Sequence, residues 1–232
     1  MSENKKYLLI GNTRFHWAEI KENKFHFTHT ELSQSFPNGI NLDHLIWASV
    51  GNYSATDLSN ENEIKTELLN IRNLPNHFGV DRALACFSAL KLIQNPTKKN
   101  LIIADFGTTL SITKMDAKGK IIGGQLIPGF ITQLKSMVQN TKNLKFPEKI
   151  EIPESNFLFS TQEAMLKGVY NSLIGVISAS FNSKLDLLIF CGGDADFIGN
   201  KLKYKIKNLI IEPDLVMKGM ILFTQENSFN KS

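Results

Sequence analysis

Two short segments of the chain have the residue types needed to cradle a phosphate. The first runs Leu9-Ile10-Gly11-Asn12-Thr13-Arg14-Phe15-His16, the second Asp105-Phe106-Gly107-Thr108-Thr109. Each joins two β-type runs, 7–10 to 15–20 and 101–105 to 110–115. A glycine with hydroxyl neighbours in such a turn lets backbone N–H groups and a hydroxyl face a phosphate at close range. Gly11-Asn12 also suits an ordinary type I′ hairpin, so the first segment by itself leaves both readings open. The second says more, because Asp105 ends an apolar strand. A carboxylate there is costly unless it holds a cation or is paired internally.

A third segment, Gly79-Val80-Asp81-Arg82, opens an apolar helix expected from residue 82. Asp81 is then either the helix N-cap or a general base that takes the proton of an attacking hydroxyl. Arg82 beside it has the fork needed to grip a carboxylate or phosphate. Three further segments are each a plain turn or cap as readily as a ligand contact. They are Gly123-Gly124-Gln125-Leu126-Ile127-Pro128-Gly129, Thr161 at the expected cap of a long helix, and Gly192-Gly193-Asp194-Ala195.

The elements that must position these residues come in two similar series. Strands are expected at 7–10, 15–20, 24–27 and 45–50, and helices at 59–69 and 82–93. Turn signals lie at Glu22-Asn23 and Pro37-Asn38-Gly39, and Asn95-Pro96 breaks the chain. The pattern then restarts with strands at 101–105, 110–115 and 120–126, and helices at 130–139 and 161–180. A strand at 185–190, a short one at 209–212 and a helix at 215–224 complete it. A meander followed by alternating helices and strands, occurring twice, predicts an α/β protein of two ribonuclease H-like domains, 1–95 and 96–232. In that plan a nucleotide lies between facing hairpins.

Composition narrows the function classes. The 232 residues are 42% hydrophobic, enough for a real core. A net charge of +4 with no basic block and no helix-turn-helix signal argues against nucleic-acid binding. The polar start and the absence of a long apolar run predict a cytoplasmic protein with no membrane partner. Cys86 and Cys191 stand in apolar contexts and read as buried free thiols.

Taken in order, the six motifs resemble the type III pantothenate kinase family over nearly the whole chain. That family pattern is Asp-x-Gly-Asn-Thr, Gly-x-Asp-Arg, Asp-x-Gly-Thr, Gly-Gly-x-Ile-x-Pro-Gly, a Thr opening a late helix, and Gly-Gly-Asp-Ala. The resemblance implies the actin-like ATPase fold, a homodimer, and transfer of the ATP γ-phosphate to the primary hydroxyl of pantothenate. It implies Asp81 as the base, with Gly79, Val80, Asp81, Arg82 and Thr161 contacting pantothenate. Leu9 to His16 and Thr108 would face ATP. Asp105 would hold the monovalent cation, potassium or ammonium, and Mg²⁺ would arrive with ATP. One departure matters: Leu9 stands where the family has Asp, and His16 where it often has Lys. Segment 71–78 has no Tyr, so the pocket wall before Gly79 is unassigned. Leu9 leaves two other functions in view, a non-catalytic accessory protein and another small-molecule kinase of the same fold.

Overall fold

The structure is a computed structural model in which residues 5–22, 24–32, 42, 44–51, 58–93 and 99–227 are described. The expected turn at 37–39 and the chain break at 95–96 lie outside these residues, as does most of the expected domain boundary.

The chain forms two compact units. The first comprises residues 1–98, 117–121 and 214–232, the second 99–116 and 122–213. In the first, β1 (Lys6–Ile10), β2 (Arg14–Lys21), β3 (Lys24–Glu31) and β4 (Leu45–Ser49) form one sheet in the order β3-β2-β1-β4. β1 and β2 are antiparallel, as are β2 and β3, while β4 runs parallel to β1. Alternation places Leu8, Ile10, Phe15, Trp17, Leu45 and Trp47 in one cluster. Tyr7, Leu9, Ile46 and Ala48 are buried too, so β1 and β4 are covered on both faces. Two helices supply cover: α1 (Val80–Leu92) packs on β4, and the last helix, α5 (Leu215–Asn227), packs on β1, β2 and α1. A Cβ on Gly219 of α5 would run into the Leu84 carbonyl of α1. That close approach brings Phe87 and Phe223 edge to face at 5.9 Å.

The second unit holds β5 (Asn100–Phe106), β6 (Thr109–Met115), β7 (Ile121–Pro128), β8 (Asp186–Cys191) and β9 (Leu209–Ile211) in the order β7-β6-β5-β8-β9. β8 runs parallel to β5, and β9 to β8. Helices α2 (Phe130–Gln139), α3 (Thr161–Ser180) and α4 (Ala195–Gly199) complete it. Its core joins Ile102, Ala104, Phe106, Leu166, Leu173 and Phe190. The buried Asp186 carboxylate is satisfied by Asn100 Nδ2 at 2.9 Å, the Asn182 N–H at 2.8 Å and Lys114 Nζ at 3.3 Å.

The expected helix at 59–69 is replaced by two single turns of 3-10 helix, Asn60–Asn62 and Thr66–Leu68. Asn62, Ile64 and Thr66 are buried at every second position, a strand-like period. The Ile64 N–H donates to the Trp47 carbonyl at 2.7 Å, so pairing with the sheet outcompetes the helix.

Candidate functional site

The first loop closes between β1 and β2, with the Gly11 N–H donating to the Arg14 carbonyl at 2.9 Å. Among the described residues outside glycine, only Glu22 and Asn73 have positive φ. Asn12 and Thr13 are therefore not in a type I′ turn, which needs positive φ at both central residues. Leu9, Ile10 and Phe15 send their side chains into the core. Asn12, Thr13 and Arg14 are exposed and His16 is half-buried, so of this loop these four can meet a ligand with a side chain, and the half-buried Gly11 with its backbone. Burial, His29 and Arg14 push the pKa of His16 down to about 4, against a smaller upward pull from Asp214.

The second loop is built more tightly. The Gly129 N–H and the Thr132 hydroxyl at the start of α2 both donate to the Thr108 carbonyl, at 2.9 and 2.6 Å. A Cβ on Gly129 would collide with the Gly107 carbonyl. Behind the loop, a Cβ on Gly192 would collide with Asp105 Oδ1 and stand 2.5 Å from the Phe106 carbonyl. Gly192 also has φ +85°, which side-chain-bearing residues rarely adopt. The glycine motifs at 123–129 and 192–195 thus meet the Asp105–Thr108 segment in space. Asp105 pairs with Cys191 in the β5–β8 register, at the strand ends.

Asp81 is not the N-cap. The helix starts earlier, at Val80, with Gly79 as cap, because Gly79 is extended (φ −59°, ψ 137°) and Asp81 already helical. The Asp81 carboxylate folds back to accept from the Arg82 N–H at 2.7 Å. Burial raises its pKa above the ordinary carboxylate value, while the Arg82 N–H and guanidinium pull it down. A carboxyl tuned upward towards neutrality is a more effective proton acceptor at physiological pH. The Arg82 guanidinium lies over the Phe78 ring, 4.0 Å from its centroid. Gly79 keeps space for the carboxylate, since a Cβ there would stand 2.7 Å from Asp81 Oδ1. Gly79→Ala therefore turns the Asp81 side chain out of position at little cost in stability. Its expected signature is a melting temperature within about 3 °C of wild type and a turnover at least about tenfold lower.

Thr161 is not the cap of α3 either. Ser160 holds that place and accepts from the Glu163 N–H at 3.4 Å, leaving Thr161 as an exposed first helical residue. Cys86 and Cys191 are buried free thiols, and burial pushes Cys86 up to about 12, which removes it as a nucleophile. A cavity of about 390 Å³ lined by Thr66, Leu69, Ile71, Leu74 and Asn76 includes none of the expected site residues. Among the described residues no three His, Cys, Asp or Glu side chains form a metal cluster, and no helix is long and apolar enough to cross a membrane.

The sequence pattern of the type III pantothenate kinase family matches residues 45–183. A type III pantothenate kinase from Pseudoalteromonas translucida is 32% identical over 62% of this chain, a span of only 60% of that relative's length. One from Synechocystis is 26% identical over 92% of this chain and 87% of its own. Among solved structures, a Campylobacter jejuni protein assigned to the Baf family matches with a TM-score of 0.69 at 20% identity, over 96% of this chain and 98% of its own. The activator of 2-hydroxyisocaproyl-CoA dehydratase from Clostridium difficile, solved with bound ADPNP, matches at 0.51 and 12% identity, over 99% of both chains. These likenesses show that the chain shares its fold with both proteins. With its family pattern matched from β4 to α3, this chain belongs to the type III pantothenate kinase family.

Proposed function

We propose that this chain transfers the γ-phosphoryl group of ATP to the primary hydroxyl of pantothenate, giving 4′-phosphopantothenate, the first step toward coenzyme A. The observation that carries the reading is Asp81, a carboxylate with an upward-shifted pKa, held over Gly79 and beside Arg82 at the start of α1. Asp81 accepts the proton as the hydroxyl attacks. Gly79, Val80, Arg82 and Thr161 bind pantothenate, with the guanidinium taking its carboxylate. Backbone and polar groups of the first loop, with Thr108, hold the ATP phosphates. Phosphoryl transfer asks little covalent chemistry of a protein, so positioning and charge do most of the work.

Asp105 is the proposed ligand of a potassium or ammonium ion. Its carboxylate stands at the end of β5, where the second loop begins, so a cation held there lies close to the proposed phosphate site. With Leu9 in place of a carboxylate, Mg²⁺ is expected to rest on ATP phosphates and water, a common arrangement for that ion. When bound, the ions offset the negative charge of ATP and the anionic substrate. The protein is proposed to act in the cytoplasm as a homodimer.

A second reading, a family member that binds nucleotide without turnover, draws on Leu9, which is 5% exposed and cannot order a metal-bound water. One assay separates the two: ADP release with ATP, Mg²⁺ and pantothenate, with and without potassium or ammonium. Pantothenate-dependent release, raised at least about threefold by either cation, is the expected result. A folded protein that releases no ADP under any cation overturns the kinase reading in favour of the second.

A further inference from the structure

A polar chain runs back from the first loop. His16 on β2 lays the Nε2 edge of its ring over Gly11, where a Cβ would stand 3.2 Å from Nε2. Its Nδ1 is 2.9 Å from Nδ1 of His29, the residue opposite it on β3, and the rings meet edge to face at 4.9 Å. His29 Nε2 lies 3.5 Å from Oδ1 of Asp214, the residue just before α5. No role described above uses His29 or Asp214.

Donor and acceptor rules place the hydrogens. Two ring nitrogens at 2.9 Å share one hydrogen, because two would clash and none would set lone pair against lone pair. A neutral His29 donating that hydrogen would turn a bare Nε2 toward the Asp214 carboxylate, acceptor against acceptor. The hydrogen therefore sits on His16 Nδ1, and the Nε2–H of His29 faces the Asp214 carboxylate across 3.5 Å. His16 Nε2 is then bare where it overlies Gly11, and a bare ring nitrogen repels a phosphate oxygen. One added proton reverses this. It enters at His16 Nε2, and the shared hydrogen passes to His29. The result is an imidazolium against the Asp214 carboxylate and a neutral His16 whose Nε2–H can donate to an anion.

The geometry points to a proton relay in which Asp214 and His29 position His16 as a donor to the ATP phosphates in the first loop, one proton being taken up as the phosphates bind. It rests on the assignment of that loop to ATP. The charged and titratable groups around His16 are Arg14 on its own strand, His29 and, opposite Arg14, Glu31 on β3, and Asp214 before α5. With its pKa near 4, His16 is neutral at pH 7 without ligand, and a bound phosphate supplies the negative charge that favours the added proton.

The test is calorimetry of ADP binding with Mg²⁺ at pH 7 in buffers of different ionisation enthalpy. Wild type should take up about one proton more than His29→Ala or Asp214→Asn. His29→Ala should also bind ADP about tenfold more weakly. His16→Gln, whose amide donates without a proton from solvent, should bind with no such uptake. Equal uptake in wild type and in a folded His29→Ala overturns the relay while leaving the ATP site standing. No ADP binding by any folded form overturns the ATP assignment beneath it. A second readout needs no variant. The ring ¹⁵N signal of His16 Nε2 should move from the bare to the protonated range when ADP is added, and a His16 that stays bare with ADP bound overturns the relay.

Discussion

If Asp81 is the proposed base, Asp81→Asn should lower turnover by about two to four orders of magnitude, the usual contribution of a positioned general base, while pantothenate and ADP should still bind. Asparagine keeps the size of the side chain and the acceptor for the Arg82 N–H, seen at 2.7 Å in the native site. It cannot take a proton. The loss therefore falls on kcat, with KM changed little. Stability should move the other way. Burial raises the Asp81 pKa, so the folded protein binds its proton to a higher pH than the unfolded chain does. From the ordinary value of 3.8 up to the raised folded value, stability falls as pH rises, and above that value the cost stays constant. The neutral Asn escapes this cost. Thermal melts should show Asp81→Asn more stable than wild type at pH 8, with the gain disappearing as pH falls below about 4. The same upward shift moves the acid limb of the wild-type kcat/KM profile, which reports the free enzyme, above the normal aspartate range. Retained turnover in Asp81→Asn would remove Asp81 from the mechanism, and a melting temperature unaffected at pH 8 would show that its charge is not strained.

Gly192→Ala is the second large effect, and it acts on structure first. A methyl group there meets Asp105 Oδ1 and the Phe106 carbonyl together, at a φ of +85°. The strained backbone costs about 1–2 kcal/mol and the overpacking about 1–3 kcal/mol. A fall in melting temperature of roughly 5–15 °C follows for a chain of this size. Asp105 must swing away to relieve the clash, so stimulation by potassium or ammonium should disappear even in protein that remains folded. Gly175→Ala on α3 is the control, because nothing lies within 4 Å of its added methyl. There the gain in helix propensity is about 0.5–1 kcal/mol, and cation stimulation should be unchanged. A Gly192→Ala protein with the stability and cation response of wild type would exclude close packing behind the second loop.

Much of this protein was legible one residue at a time. Alternation and helical spacing are local properties, so α2 and α3 lie where the pattern puts them, and most strand ends differ by one or two residues. The order of six motifs carried the family, because each is a short backbone device that depends little on distant contacts. Caps were legible only to within one or two residues: Gly79 and Ser160 took the places expected of Asp81 and Thr161. Neighbouring side chains compete for those positions, and the φ of one residue decides between them. The apolar spacing at 59–69 suggested a helix, but a free sheet edge at Trp47 was available and pairing with it prevailed.

Residue types and their spacing along the chain already mark which side chains could do chemistry and which local elements carry them. The strand expected at 24–27 stopped short of His29, and the register that sets His16 opposite it came from the structure. Only the tertiary structure decided what lies behind those residues. Gly192 fits under Asp105, Gly129 under Gly107, and Asp214 reaches His29 from the far end of the chain. Such contacts join positions tens to hundreds of residues apart. Their distances are set by how sheets and helices pack, and no periodicity or spacing along the chain encodes that.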